Sequence, residues 1–201
     1  IVITASNVTL NLNGNVVRTT AGGTGRGIFV NVARGVAVRN GKVSRFNSNV
    51  MVTNSENVSI ESLQIIGGGL APQNGPSEIG VQIVNSRSVS VSRNTISSVN
   101  LGIFVRGGSS SANRIFENMV AGGANPANNL LGICYNPAAS GGDAGPRGDN
   151  IYNNHIVRFG FAIAISTGSQ HNVFNENVLS SFNGGFREPE ALTQNGGTNV
   201  S

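Results

Sequence analysis

Four side chains in the second half of the chain have the types and spacing that proton transfer on an acidic sugar would use. Tyr152 and His155 lie three residues apart, as do Arg114 and Glu117 in an earlier segment. A histidine with a tyrosine, an arginine and a glutamate nearby can serve proton abstraction from a uronic acid, and the aromatic ring offers a platform for the sugar. These four are the catalytic candidates if the protein is an enzyme. The simpler interpretation is that they are stacked surface side chains.

A second group of residues has the character of a binding surface without catalytic groups. One outward position of a repeated segment, described below, is occupied by Phe29, Met51, Gln82, Phe104, Cys134, Ala164 and Arg187. A calcium-dependent lyase needs several carboxylates and a base, and a glycosidase needs paired acids; this column has no acid and no histidine. The candidates for binding a substrate are Phe29, Met51, Gln82, Phe104 and Arg106.

Phe29, Met51 and Phe104 would form an apolar stripe along that column. A soluble monomer seldom leaves such a stripe bare. We therefore expect the stripe to be covered by the loop at residues 67–78, by another subunit or domain, or by a sugar ligand.

The remaining acids and the cysteine give weaker signals. The closest pair of acids, Glu188 and Glu190, is expected to lie in a solvated loop. Asp143 and Asp149 fall in a glycine-rich segment with Arg147, where loop charge or a local ion pair is the expected role. The single cysteine excludes an internal disulfide and a cysteine-based metal cluster. We predict no metal site and no cofactor.

The elements that position these residues follow from an internal repeat. The pattern Gly-Ile-X-Val, or a close variant, recurs at intervals of 22 to 31 residues and starts at Gly27, Asn49, Gly80, Gly102, Gly132, Ala162 and Gly185. Apolar residues on one side alternate with an outward residue on the other in each copy, which is typical of a half-buried β-strand.

A second segment runs in step with the first and has the pattern of a strand, a bend and a strand. Its bend position is occupied by Gly41, Leu63, Asn94, Asn118, Asn154 and Asn177. Asparagine tolerates left-handed backbone, and its amide can bond to the copies one repeat above and below. The repeat therefore predicts a ladder of asparagine side chains, from which Gly41 and Leu63 depart.

Three short strands per repeat, with apolar residues on one side, bury a continuous core only when the repeats stack in parallel. We predict an all-β fold with almost no α-helix: a single-stranded parallel β-helix of three sheets and about seven coils, forming one domain over residues 1–201. The longer repeats place their extra residues at turns, in 67–78, 121–130 and 136–148. Both ends of the chain resemble cut coils, so we expect the domain to continue in a longer protein.

The composition is that of a folded domain, and it disfavours a nucleic-acid partner and a membrane span. Hydrophobic residues make up 38% of the chain and charged residues 11%, which is unlike a disordered segment. The net charge of +4 comes from scattered arginines, so a nucleic-acid partner is not favoured. No apolar run approaches the roughly 18 to 20 residues that a membrane span requires.

The asparagine-centred repeats at residues 113–120 and 172–179 resemble those of right-handed parallel β-helix proteins of the pectate-lyase-like superfamily, over nearly the whole chain. The sequence is most similar to the short-repeat branch found in carbohydrate-binding and sugar-hydrolase β-helices and in periplasmic NosD-like proteins. This resemblance implies a right-handed coil and a groove on the outer face of the Gly-Ile-X-Val sheet. It also implies a secreted, cell-surface or periplasmic location.

Three functions are consistent with these features. The first is a non-catalytic domain that binds or displays an anionic or neutral polysaccharide, and the column without acids favours it. The second is a polysaccharide lyase, epimerase or hydrolase with an atypical site around His155. The third is a NosD-like assembly protein or a structural rod. The expected partner is accordingly a polysaccharide, or a protein domain or subunit that covers the apolar stripe.

Overall fold

The computed structural model describes residues 1–20, 25–68, 78–123, 130–136, 145–165, 168–187 and 194–195. These ranges contain β-strands and no helix, and therefore no helix that could span a membrane. The strands are β1 (Val2–Ile3), β2 (Thr9–Asn11), β3 (Val16–Arg18), β4 (Arg26–Asn31), β5 (Arg34–Ser44), β6 (Ser48–Thr53), β7 (Glu56–Ile66), β8 (Ile79–Val84), β9 (Ser90–Ser92), β10 (Thr95–Val99), β11 (Leu101–Arg106), β12 (Arg114–Phe116), β13 (Met119–Gly122), β14 (Leu131–Asn136), β15 (Asn150–Tyr152), β16 (His155–Ile165), β17 (Val173–Asn175), β18 (Val178–Arg187) and β19 (Gln194–Asn195).

Every strand pairs in parallel with its counterpart one coil away, which gives a solenoid of about six turns, close to the seven predicted. Sheet A contains β1, β4, β6, β8, β11, β14 and the second parts of β16 and β18. Sheet B contains β2, β9, β12, β15, β17, β19 and the first parts of β5 and β7. Sheet C contains β3, β10, β13, the second parts of β5 and β7, and the first parts of β16 and β18. The prediction of a three-sheet parallel β-helix is confirmed.

The core is a set of columns in which like residues stack from coil to coil. One column of sheet A is completely buried and contains Ile28, Val50, Val81, Ile103, Ile133 and Ile163. Burial of each such side chain contributes about 1.5 to 3 kcal/mol. A glycine precedes this residue in four of the six coils, and close packing favours it, because a Cβ on Gly80 would lie 2.5 Å from the carbonyl oxygen of Gly102.

The predicted asparagine ladder is present. Asn94, Asn118, Asn154 and Asn177 are at most 2% exposed. The backbone N–H of Leu63 donates to Oδ1 of Asn94 at 2.9 Å, and the same bond recurs between successive asparagines at 3.0 to 3.1 Å. Each Nδ2 also donates to a backbone carbonyl of the preceding coil at 2.8 to 2.9 Å. The ladder therefore satisfies buried backbone groups that the bend would leave without partners.

The left-handed backbone conformation lies one residue earlier than the sequence predicted. Ser62, Arg93, Glu117, Asn153 and Glu176 have φ angles of 51° to 57°, whereas the asparagine that follows is not left-handed. Asparagine at the ladder position is therefore explained by the hydrogen bonds of its amide and not by tolerance of positive φ.

A second internal ladder contains an acid, and it corrects the interpretation of Asp149 as a loop charge or ion-pair partner. Asp149 is 1% exposed. The backbone N–H and Nδ2 of Asn113 donate to its carboxylate at 2.8 and 3.2 Å, and its own N–H donates to Oδ1 of Asn172 at 3.0 Å. The expectation was wrong because this residue occupies a rung position inside the coil. Asp143, Glu188 and Glu190 lie outside the described residues.

Candidate functional site

The outer face of sheet A carries a groove of about 580 Å³, which we call the Phe groove. Strand register explains its composition, because Phe29, Met51, Gln82 and Phe104 occupy one position on four successive strands. Rungs of a parallel sheet lie about 4.8 Å apart, so these side chains form a continuous strip. The lining residues are Val2, Gly25, Arg26, Phe29, Asn47, Ser48, Met51, Gln82 and Arg106.

Each phenylalanine of the strip is paired with an arginine. The guanidinium carbon of Arg26 lies 4.4 Å from the ring centroid of Phe29, and that of Arg106 lies 6.0 Å from the ring centroid of Phe104. These distances are typical of cation–π contacts. The groove therefore combines aromatic faces with positive charge.

The centre of the groove is polar and ordered. Gln82 is 7% exposed, and the Ser48 hydroxyl donates to its Oε1 at 3.3 Å. Met51, directly below Gln82 in register, is also buried, whereas Phe29 and Phe104 are half-buried. Most of the loop expected to cover the stripe lies outside the described residues, so a covering loop or partner stays a prediction.

The structure brings two of the four catalytic candidates together. Nη2 of Arg114 donates to the Tyr152 hydroxyl at 2.7 Å. The ring of Tyr152 stacks on Phe116 with a centroid distance of 5.0 Å and an interplanar angle of 2°, and the Arg114 guanidinium lies 5.1 Å from the Phe116 centroid. These contacts form a cluster on the outer face of sheet B.

The other two candidates take different positions. Glu117 lies in a turn, and its carboxylate is 3.7 Å from Nη1 of Arg93. His155 begins β16 in sheet C, in register with Met119 and Val178. The backbone N–H of Glu117 donates to the carbonyl oxygen of Tyr152 at 3.3 Å. Among the described residues, no side-chain hydrogen bond or ion pair joins Glu117 or His155 to the Arg114–Tyr152 pair. A four-residue catalytic site stays a prediction.

A second groove, of about 680 Å³, lies at the turn between sheets A and B. It was not predicted from the sequence. Its charged lining residues are Arg34, Glu56, Arg87 and Arg147. Oε2 of Glu56 lies 3.1 Å from Nη2 of Arg34 and 2.9 Å from Nη2 of Arg87. The hydrogen bond from Arg87 lowers the pKa of Glu56 and raises the pKa of Arg87. The available signal was positional, since each of these residues stands seven places before a bend position of the second repeat segment, namely Gly41, Leu63, Asn94 and Asn154.

With the fold and both grooves described, comparison with known proteins identifies the family. A family model of the periplasmic copper-binding protein NosD matches residues 6–196. The chain belongs to the NosD family. This family consists of right-handed β-helix proteins, which agrees with the predicted superfamily. Comparison with curated proteins finds no match.

Two solved structures are similar at low sequence identity, and the first of them shares the fold. An alginate lyase from Paenibacillus sp. str. FPU-7 is 17% identical with a TM-score of 0.61, over 89% of this chain and 63% of the lyase. The A-module of mannuronan C-5 epimerase AlgE4 from Azotobacter vinelandii is 11% identical with a TM-score of 0.49, over 88% of this chain and 63% of the module. The NosD-family chain thus spans less than two thirds of the length of each structure.

The described residues do not fit a copper centre of the kind that the family description names. Among them, no three histidine, cysteine or acidic side chains come together. Cys134 is 5% exposed, and burial raises the pKa of its thiol to about 12, which disfavours the thiolate form that binds metals. Met119 and His155 are register partners, but this pair does not supply the two histidines and one cysteine of a blue-copper site.

Proposed function

We propose that this NosD-family protein is an extracytoplasmic β-helix that binds an anionic polysaccharide in the Phe groove. The observation that carries the proposal is the pairing of Phe29 with Arg26 in the groove lining and of Phe104 with Arg106 at its end. Arg106 lines the groove, and Phe104 extends the strip as the register partner of Gln82. The periplasmic description of the family supports a location outside the cytoplasm. Copper has no part in the proposal, because the donor residues described above do not fit it.

Groove chemistry favours an acidic sugar over a neutral one. An aromatic face offers an apolar platform to the ring hydrogens of a sugar. A guanidinium forms bidentate, charge-assisted hydrogen bonds with a carboxylate, and both arginines are positioned at the phenyl rings that would hold the sugar. The Gln82 side chain lies between the two ring-and-arginine pairs, where it can form a hydrogen bond with a hydroxyl group of the sugar.

Titration calorimetry with a uronate oligosaccharide tests the proposal against a neutral oligosaccharide of the same length. We expect R106Q to weaken binding of the uronate about tenfold, as expected for loss of one charge-assisted hydrogen bond. F104L keeps an apolar side chain but removes the aromatic face, and it should weaken binding of both sugars. F116L is the matched control, since Phe116 is a half-buried outer aromatic residue on sheet B, whereas Phe104 belongs to the strip on sheet A.

A polysaccharide lyase is the alternative that a specific contact favours, namely the hydrogen bond between Arg114 and Tyr152. An ultraviolet assay for unsaturated uronate separates the two functions. Release of unsaturated sugar by the wild type that is lost in Y152F and H155A would replace the binding proposal with the enzymatic one. Absence of any glycan binding would favour the assembly protein or structural rod.

A further inference from the structure

The second groove contains a column of side chains that alternates in charge and then lacks one acid. Bridge pairing places Glu56, Arg87, Ser111 and Arg147 on four successive coils, and Arg34 precedes Glu56 in register. The order along the axis is therefore positive, negative, positive, neutral, positive. We call this set the arginine column. Ser111 occupies the rung where the alternation would place a carboxylate.

Among the described residues, the charges of the arginine column are not balanced. Glu56 contacts both arginines on its side of the column, at 3.1 and 2.9 Å. Arg147 has no acidic partner in this part of the chain, and its side chain donates a long hydrogen bond of 3.5 Å to the carbonyl oxygen of Gly108. Within the described ranges, three arginines and one glutamate therefore leave a net positive charge of two beside an open groove.

Another column on the same molecule shows what a balanced arrangement looks like. Arg39, Glu61, Arg93 and Glu117 lie on four successive coils and alternate in charge without a gap. Arg39 and Glu61 share one register position, whereas Arg93 and Glu117 stand one residue later, after Ser92 and Phe116 in the same register. The three successive distances between the charged atoms are 3.9, 2.8 and 3.7 Å. We call this set the balanced column. It uses the same residue types at similar exposure, so the missing acid is specific to the arginine column.

We propose that an oxyanion group of a ligand (a carboxylate, sulfate or phosphate) binds over Ser111 between Arg87 and Arg147. Two rungs separate these arginines, so their backbones lie about 10 Å apart, which leaves room for one oxyanion between two flexible guanidinium groups. The half-buried Ser111 hydroxyl lies on the floor of the gap and can donate a hydrogen bond to it. This site is separate from the Phe groove and does not depend on the proposed function.

Sulfate and phosphate titrations at constant ionic strength test the site directly. Constant ionic strength is needed because sulfate also stabilises proteins by exclusion from their surface, and because salt screens exposed charges. We expect the wild type to bind the anion and to gain thermal stability with concentration, as linkage requires. R147Q should weaken binding about tenfold or more. R93Q removes the same charge from the balanced column and should bind as the wild type does.

S111E supplies the missing acid, and it provides the sharpest test. We expect this variant to lose anion binding and to melt at a higher temperature than the wild type in chloride, whereas S111A should keep most of the binding. Equal sulfate affinity in the wild type, R147Q and S111E would overturn the proposal, as would the absence of any anion binding by the wild type.

A uronate oligosaccharide tests whether the site binds an acid group of a polysaccharide or only a small inorganic anion. If the acid group belongs to a polysaccharide, the oligosaccharide should compete with sulfate in F104L, where the Phe groove is impaired. If the site takes only small inorganic anions, R147Q should lose sulfate binding while its uronate affinity equals that of the wild type. If F104L loses uronate binding while R147Q and the wild type keep it, the uronate binds in the Phe groove and not at the arginine column.

Discussion

Polar side chains form columns both inside and outside the coil, and the two kinds differ in what completes them. Inside, Asn118 donates to the carbonyl oxygens of Val91 and Phe116 and to Oδ1 of Asn154, at 2.8 to 3.0 Å. Every contact is made by the chain itself. Outside, the arginine column stops alternating at Ser111 and leaves Arg147 without an acidic partner among the described residues.

Solvation explains the difference. An unsatisfied polar group inside the coil costs about 1 to 3 kcal/mol, so an incomplete internal ladder lowers stability. An unpaired exposed guanidinium is solvated by water and costs little. Incomplete columns are therefore tolerated more easily on the outside, and there they are available to a ligand. The comparison separates polar residues that stabilise the fold from those that can bind.

The largest expected effect is loss of an internal rung. N118A should lower the free energy of unfolding by about 4 kcal/mol, because it removes several buried hydrogen bonds and leaves the N–H of Asn94 without its acceptor. Chemical denaturation measures this change. N150A, at an exposed position of β15, should change stability by less than about 0.5 kcal/mol. Equal effects of the two substitutions would contradict the distinction between inside and outside.

The acidic rung should make stability depend on pH. Burial raises the pKa of Asp149 from 3.8 to about 6, against the lowering effect of hydrogen bonds from Asn113. The folded chain therefore binds this proton more tightly than the unfolded chain, and the contribution of Asp149 to stability falls as pH rises from about 4 to about 6. Above that range the buried charge costs about 3 kcal/mol.

D149N turns the acidic rung into an amide rung like those of the asparagine ladder. We expect this variant to be more stable than the wild type at pH 7. Its free energy of unfolding should not fall between pH 4 and pH 6, as measured by denaturation at a series of pH values. E117Q removes an exposed acid, with the same change of charge, and should retain the fall. A wild-type profile no steeper than that of D149N would show that Asp149 is not charged inside the coil.

A smaller effect is expected at a turn that lines the second groove. Val32 has φ of 53°, whereas the equivalent positions of the next two coils are Asn54 and Asn85, with φ of 49° and 47°. A β-branched residue is strained in this conformation, and Val32 is 66% exposed, so little burial is lost on replacement. V32N should raise stability by about 1 kcal/mol in urea denaturation. V16N, at an exposed position of β3, should give no gain.

The smallest effect is expected in the balanced column. Arg93 is 54% exposed and contacts Glu61 at 2.8 Å and Glu117 at 3.7 Å. R93Q should destabilise the protein by less than about 1 kcal/mol, and the loss should shrink further in high salt. Thermal melts at two salt concentrations measure this. A salt-independent loss as large as that of N118A would show that exposed columns also support the fold.

Sequence analysis predicted the elements that depend on local pattern. The alternation around Gly102 placed Phe104 outward, and the same register holds for Phe29 and Met51. The place of Asn118 in the asparagine ladder was also predicted from the sequence, because asparagine recurs at the same position relative to the strands. The position of Asp149 was misread, since an acid in a glycine-rich segment resembles a solvated loop residue until the ladder above and below it is seen.

The sequence by itself determined the parallel β-helix, its three sheets and the residues that form its core, because apolar alternation and repeated bends leave stacking as the only way to bury the apolar face. Only the tertiary structure decided which charged side chains meet. Arg87 and Arg147 lie far apart in the chain, and the inserted residues between them hide their common position. Coil stacking removes that separation, since turns absorb insertions while the hydrogen-bonded rungs keep their register.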